Sequence, residues 1–178
     1  MKTKNLEKVF DTFGKKVVGR ARSILSSKSV SGKLADSLGY QLKVYDSGAL
    51  ELQFLGAGYA RLVDEGVRGS TGKAHPKKGK VLAPKSPFKY TNKQPPSNVI
   101  DKWVVRKGLG AARDEQGRFI PRKSLVFAIA KSIKLYGIEP SNFFTDSLNK
   151  EIKNLPKEIA RAYAQDAGKF IRTVTQNI

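Results

Sequence analysis

Few side chains in this chain are of the types that make or break bonds. Its one histidine, His75, could act as a general base only with a carboxylate to orient it and a nucleophile to activate. It stands instead in a stretch rich in Gly, Pro and Lys that offers neither, so it reads as a solvated loop residue. The run Gly66-Val67-Arg68-Gly69-Ser70-Thr71-Gly72-Lys73-Ala74 has the look of a phosphate-binding loop. It departs from that pattern in spacing, with Gly66 and Gly72 one residue too far apart, and in having Ala74 where a Ser or Thr hydroxyl is needed. No buried strand leads into it, and such a loop works through a strand-to-helix junction. Asp64-Glu65 and Asp114-Glu115 are adjacent acidic pairs, and Asp64-Glu65 could recruit a cation. Neighbours on a helix do not face each other, so a local ion pair or a capping role is the simpler reading there. A nuclease would need clustered carboxylates to hold its metal, which the sequence does not supply. The absence of cysteine removes disulfides, thiolate chemistry and Cys/His metal sites. No catalytic residue, cofactor or metal is expected, and the chain reads as something other than an enzyme.

What the sequence does hold is charge. Lys and Arg outnumber Asp and Glu by 34 to 15, a formal net charge of +19 over 178 residues. A polyanion or an acidic protein surface is the partner such a balance calls for. The charge concentrates in residues 66–95, which carry eight Lys or Arg and no Asp or Glu. This segment has almost no apolar periodicity and is too long for an ordinary connector, so it reads as a basic loop or arm that is either disordered alone or ordered by a partner. With only Phe88 and Tyr90 as aromatics there, contact to a phosphate backbone is a better reading than base stacking. The apolar content of 39% is sufficient for a core. No apolar run approaches the length of a membrane span, and the polar start Met1-Lys2-Thr3-Lys4-Asn5 lacks a signal peptide's apolar region, so a soluble, unexported protein is expected.

The elements that would position these residues follow from periodicity. Leu6, Phe10, Phe13, Val17, Ala21 and Ile24 or Leu25 recur at helical steps with Lys and Arg between them, predicting an amphipathic helix of roughly twenty residues. Ser26-Ser27-Lys28-Ser29 and Ser31-Gly32 break it. Tyr40, Leu42 and Val44, then Leu50, Leu52 and Phe54, alternate with polar residues on either side of Asp46-Ser47-Gly48, predicting a hairpin with one buried face. Tyr59 to Glu65 reads as one or two helical turns closed by Gly66. Beyond Pro95-Pro96, Ser97 is placed to cap a short helix bearing Val99, Ile100, Trp103 and Val104. Leu125 to Tyr136 forms an apolar helix ending at Gly137, and Ser141 is placed to cap another with Phe143, Phe144, Leu148 and Ile152. Pro156 suits the first turn of a last helix carrying Ile159, Tyr163, Ala167, Phe170 and Val174. The class is α+β, a single domain over 1–178 with the basic segment 66–95 inserted in it. Trp103, Ile129 and Phe143 are the expected core.

Several of these stretches carry a family resemblance. Tyr59-Ala60-Arg61-Leu62-Val63-Asp64-Glu65-Gly66 resembles a signature of the tail-completion, or head-to-tail joining, proteins of long-tailed bacteriophages, the neck and minor tail proteins. In that family a helix ending like Gly19-Arg20-Ala21-Arg22 precedes an element like Ser31-Gly32-Lys33-Leu34 and then a hairpin. Pro95-Pro96-Ser97-Asn98-Val99-Ile100-Asp101-Lys102-Trp103-Val104 resembles a helix opening in these proteins. Leu125-Val126-Phe127-Ala128-Ile129-Ala130-Lys131-Ser132-Ile133 with Gly137-Ile138-Glu139-Pro140-Ser141-Asn142-Phe143-Phe144 resembles their C-terminal pattern. The likeness spans nearly the whole chain apart from the basic segment. It departs at Asp64, where many relatives have Glu, at Val67, where many have Thr, and in the length of the last helix.

The resemblance implies a non-catalytic virion protein of the neck, assembled in the host cytoplasm, which forms a homo-oligomeric ring of sixfold or twelvefold type and joins the capsid portal or connector to the tail. Tyr59, Arg61, Asp64 and Glu65 are then expected at a subunit contact, and Arg68, Lys73, Lys77, Lys78 and Lys80 as a docking arm. Packaged DNA passing through the ring lumen is a further expected partner, and a membrane is not. The competing reading is a basic nucleic-acid-binding protein that holds the phosphate backbone.

Overall fold

In a computed structural model that describes residues 3–28 and 32–175, the chain is α+β, with a long N-terminal helix, a small antiparallel hairpin and C-terminal helices. Ser29 and Ser31 of the expected serine break, and the last residues 176–178, lie outside the described residues. Where the sequence suggests one core, the chain divides into two compact units, 1–58 with 143–178 and 59–142. The basic segment belongs wholly to the second.

The first unit is built on α1 (Lys4–Lys28). Phe13, Val17, Val18, Ala21 and Leu25 are its buried residues, spaced to share one face of a helix. Packed on this helix are α6 (Phe143–Glu151) and α7 (Leu155–Thr175), separated by a short turn. Pro156 stands in the first turn of α7, where its missing N–H costs nothing. α7 runs antiparallel to α1: the buried carboxylate of Asp166 accepts the backbone N–H groups of Asn5 and Leu6, and at the other end Arg20 pairs with Glu151 of α6 at 3.1 Å. Burial alone would raise the pKa of Asp166, but these bonds, the Asn5 side chain and nearby Lys169 outweigh it and hold the carboxyl below its ordinary value.

After the short helix α2 (Lys33–Ser37), strands β1 (Gly39–Val44) and β2 (Leu50–Leu55) form the expected antiparallel hairpin, with Tyr40 opposite Phe54 and Val44 opposite Leu50. Its base lies on α1. The Tyr40 hydroxyl donates to Asp11 at 2.6 Å, and the Phe54 ring meets Phe13 and Phe144 edge-on at 6.3 and 5.1 Å. The expected buried face is only partly covered near the turn, where Val44 is 52% exposed, and Tyr45 just beyond the strand is 47% exposed.

The second unit opens with α3 (Ala60–Glu65), closed by Gly66 at φ 70°, and the two-residue strand β3 (Val67–Arg68). It continues through α4 (Ser97–Arg106), α5 (Arg122–Tyr136) and the two-residue strand β4 (Gly137–Ile138), which pairs antiparallel with β3. Ile100 and Val104 of α4 pack with Val126 and Ala130 of α5, and Ile129 lies against them. Trp103, expected in the core, is 38% exposed; the buried stripe of α4 runs one residue away, through Ile100 and Val104. Ser97 is the first residue of α4 and Pro96 occupies the cap position, so the expected serine cap is not made. Among the described residues no helix is long and apolar enough to cross a membrane.

A Cβ on Gly14 of α1 would lie 2.5 to 2.9 Å from ring atoms of Tyr40. Alanine is ordinarily the better helix former by about 1 kcal/mol, but overpacking against an aromatic ring costs more. Gly14→Ala is therefore expected to lower stability by about 1–2 kcal/mol, read as a fall in the urea midpoint, and Tyr40→Ala in the same chain should return the helix-propensity gain. A raised midpoint in the single variant would contradict this packing.

Candidate functional site

All the residues singled out as a subunit contact or docking arm fall in the second unit. Tyr59 precedes α3 and is half exposed. One turn on, the exposed Arg61 donates to Glu65 at 2.6 Å, the i,i+4 pairing expected of a helix surface, and its guanidinium carbon lies 5.5 Å from the centre of the Phe88 ring. Asp64 faces the other way and is buried. The last carbonyls of α3 are satisfied by the chain before α6: Val63 accepts both the N–H and the hydroxyl of Ser141, and Asp64 accepts the N–H of Asn142. Asp64 is thus buried while Glu65 is taken by Arg61, and the Ser141 hydroxyl donates to the Val63 carbonyl.

The basic segment has a fixed course. Arg68 donates its backbone N–H to Phe88 and accepts from Tyr90, both at 2.9 Å, while β3 pairs on its other side with Gly137 and Ile138. Leu82, Ala83 and Ser86 are buried, and the Ser86 hydroxyl donates to the Gly66 carbonyl at 2.7 Å. Glycine makes the crossing possible. A Cβ on Gly137, at φ 93°, would stand 2.1 Å from the Val67 carbonyl oxygen, and one on Gly69 would stand 2.2 Å from that of Leu135. The resemblance of 66–74 to a phosphate loop ends here, since β3 leads into irregular chain and no helix begins before Ser97.

His75 organises a turn. Its backbone N–H donates to Lys80 at 2.8 Å, its Nδ1 accepts the Lys77 N–H at 3.2 Å, and its ring packs edge-on to Tyr136 at 5.2 Å. It is half buried rather than solvated. That turn brings Lys78 and Lys80 together on the carboxylate of Glu139, the latter at 2.7 Å. The two ammonium groups hold the Glu139 carboxyl at about 2, against an ordinary 4.5. Lys73 and Lys77 remain exposed, as do Lys85, Lys89 and Lys93. Arg68 is half buried, with its Nε lacking a hydrogen-bond partner.

The structure thus splits the expected docking arm into a pair of lysines that share one carboxylate and a set of cations without an ion-pair partner among the described residues. Glu139 and Phe88 were not among the residues the sequence singled out. Glu139 had one usable signal, an isolated acid two residues after a helix-ending glycine. Among the described residues there is no group of three or more His, Cys, Asp or Glu placed to hold a metal ion. No protein-family model, curated protein or solved structure matches the chain.

Because the carboxyl of Glu139 is depressed in the folded chain, its stabilising contribution is complete above about pH 4.5 and is lost as pH falls toward about 2. Amide protection at His75 and Gly79, corrected for intrinsic exchange, should fall through that window, and Glu139→Gln should show the low-pH protection at every pH. Equal acid sensitivity in wild type and variant would mean that the clip does not hold this turn.

Proposed function

We propose that the chain is a structural component of a phage neck, assembling as a homo-oligomeric ring between the portal or connector and the tail. The observation that supports it most is the hairpin of the first unit. A two-stranded sheet has two open edges, each a row of backbone donors and acceptors ready for another strand, and such a hairpin is marginal alone. Here its far end also carries exposed Val44 and Tyr45, and α7 presents exposed Tyr163, Phe170 and Ile171. Apolar surface and unpaired strand edges on one unit are what a neighbouring subunit covers. The motif resemblance supplies the virion context, and the charge of +19 suits contact with acidic protein or packaged DNA.

The mass of the purified protein by light scattering, at low and high salt and without nucleic acid, tests the reading. A discrete multiple of 19.6 kDa is expected, and Val44→Lys with Tyr45→Lys should return it to a monomer of unchanged circular dichroism, since both residues are exposed. A wild-type monomer at every salt and protein concentration would overturn the ring, and one that gains mass only with duplex DNA would favour the nucleic-acid binder.

A further inference from the structure

A concentration of unpaired positive charge lines a groove in the first unit. The antiparallel helices α1 and α7 leave between them a groove of about 510 Å³. Lys8 and Lys16 line one wall, and Lys157 and Arg161 the other. All four side chains are exposed, and none has an ion-pair partner among the described residues. Their neighbours differ: Lys15 is taken by Asp11 at 2.7 Å and Arg20 by Glu151. Glu158 is the sole acid of the lining, so the groove carries a net positive charge.

Spacing follows from the helices. Lys8 and Lys16 are separated by eight residues of α1, about 12 Å, and Lys157 and Arg161 by four of α7, about 6 Å. A row of cations of that length can meet more than one phosphate of the same nucleic-acid strand. Thr12 and Gln165 add neutral donors of the kind that meet phosphate oxygens.

We propose that the α1–α7 groove is a binding site for the phosphodiester backbone of nucleic acid, sequence-independent and governed by salt. No aromatic side chain lines it, so it offers no platform for base stacking. Val9 and Ala162 are the only apolar residues that line it, and neither is the large aromatic or aliphatic anchor on which protein interfaces depend. Free cations, polar donors and an open trough match a polyanion and little else. The proposal stands apart from ring formation, since the groove belongs to a single subunit.

The test is fluorescence anisotropy with a short labelled DNA duplex, and in parallel with a single strand of the same length, from about 50 to 200 mM salt. Wild type should bind both micromolar or weaker, with log K falling linearly against log salt, and preference between duplex and single strand identifies which form the groove takes. Lys8→Gln, Lys16→Gln, Lys157→Gln and Arg161→Gln combined should weaken binding at least about tenfold and flatten the slope by roughly 0.7–0.9 for each phosphate contact removed. Lys8→Gln with Lys16→Gln alone guards against misfolding of the fourfold variant and should lose about half of that slope. The matched control is Lys102→Gln, Lys107→Gln, Lys123→Gln and Lys131→Gln, exposed lysines of the second unit outside the basic segment, which removes the same number of charges and should leave most of the affinity. Absence of wild-type binding, an unchanged slope in the groove variants, or equal losses in groove and control variants would each overturn the site. A failed ring with an intact groove effect, or the reverse, keeps this proposal and the neck reading separable.

Discussion

The first unit depends on one buried carboxylate. Asp166 meets the backbone N–H groups of Asn5 and Leu6, in the first turn of α1, where four amides have no intrahelical partner and the helix dipole is positive. A carboxylate is costly to bury, and this one is tolerated because two backbone donors and the Asn5 side chain replace its water. The bond joins residues 160 positions apart in sequence, so it also fixes the register of α7 against α1. Much else in the unit follows from that register: Ala162 is buried one turn before Asp166, Arg20 comes opposite Glu151, and Lys157 and Arg161 come to face Lys8 and Lys16.

The second unit is held by a different device, the close crossing of backbones. β3 and β4 are two residues each, too short to contribute much ladder energy, yet they set the path of the whole basic segment. Gly66, Gly69 and Gly137 allow peptide planes to approach within distances no side chain could share. Tyr90 and Phe88 then bond Arg68 on its other edge, and Ser86 closes onto Gly66. Lysines that repel one another would strain this loop, and the fold answers with a single acid, Glu139, placed between Lys78 and Lys80.

Helices and hairpin were legible because their signals are local. The i,i+4 spacing of Phe13, Val17, Ala21 and Leu25 and the alternation from Tyr40 to Phe54 need no tertiary knowledge, and Gly66 and Gly137 announced the ends of α3 and α5. The fastening of residues 66–95 was not legible, because it rests on Glu139 and on Gly137 far along the chain and on backbone bonds that leave no pattern in side-chain type. Trp103 misled for a related reason. Size and apolarity mark it for the core, but the stripe of α4 that meets α5 is chosen by Ile100 and Val104, and the indole falls outside it.

Charge is what links these local devices to association. Every acid the fold spends on a cation is one fewer to balance the rest, and the spending is uneven: Asp11, Glu65, Glu139 and Glu151 neutralise cations beside them, while the walls of the α1–α7 groove are left uncompensated. Copies of a chain at +19 repel one another at long range, so any ring of them needs short-range contacts strong enough to overcome that field, and apolar hairpin ends and open strand edges are of that kind. Bound polyanion would remove part of the same repulsion by supplying the missing negative charge. Salt and nucleic acid should then act on assembly in the same direction, by screening and by neutralisation, while acting oppositely on each other, because salt that eases the approach of subunits also displaces phosphates from the groove.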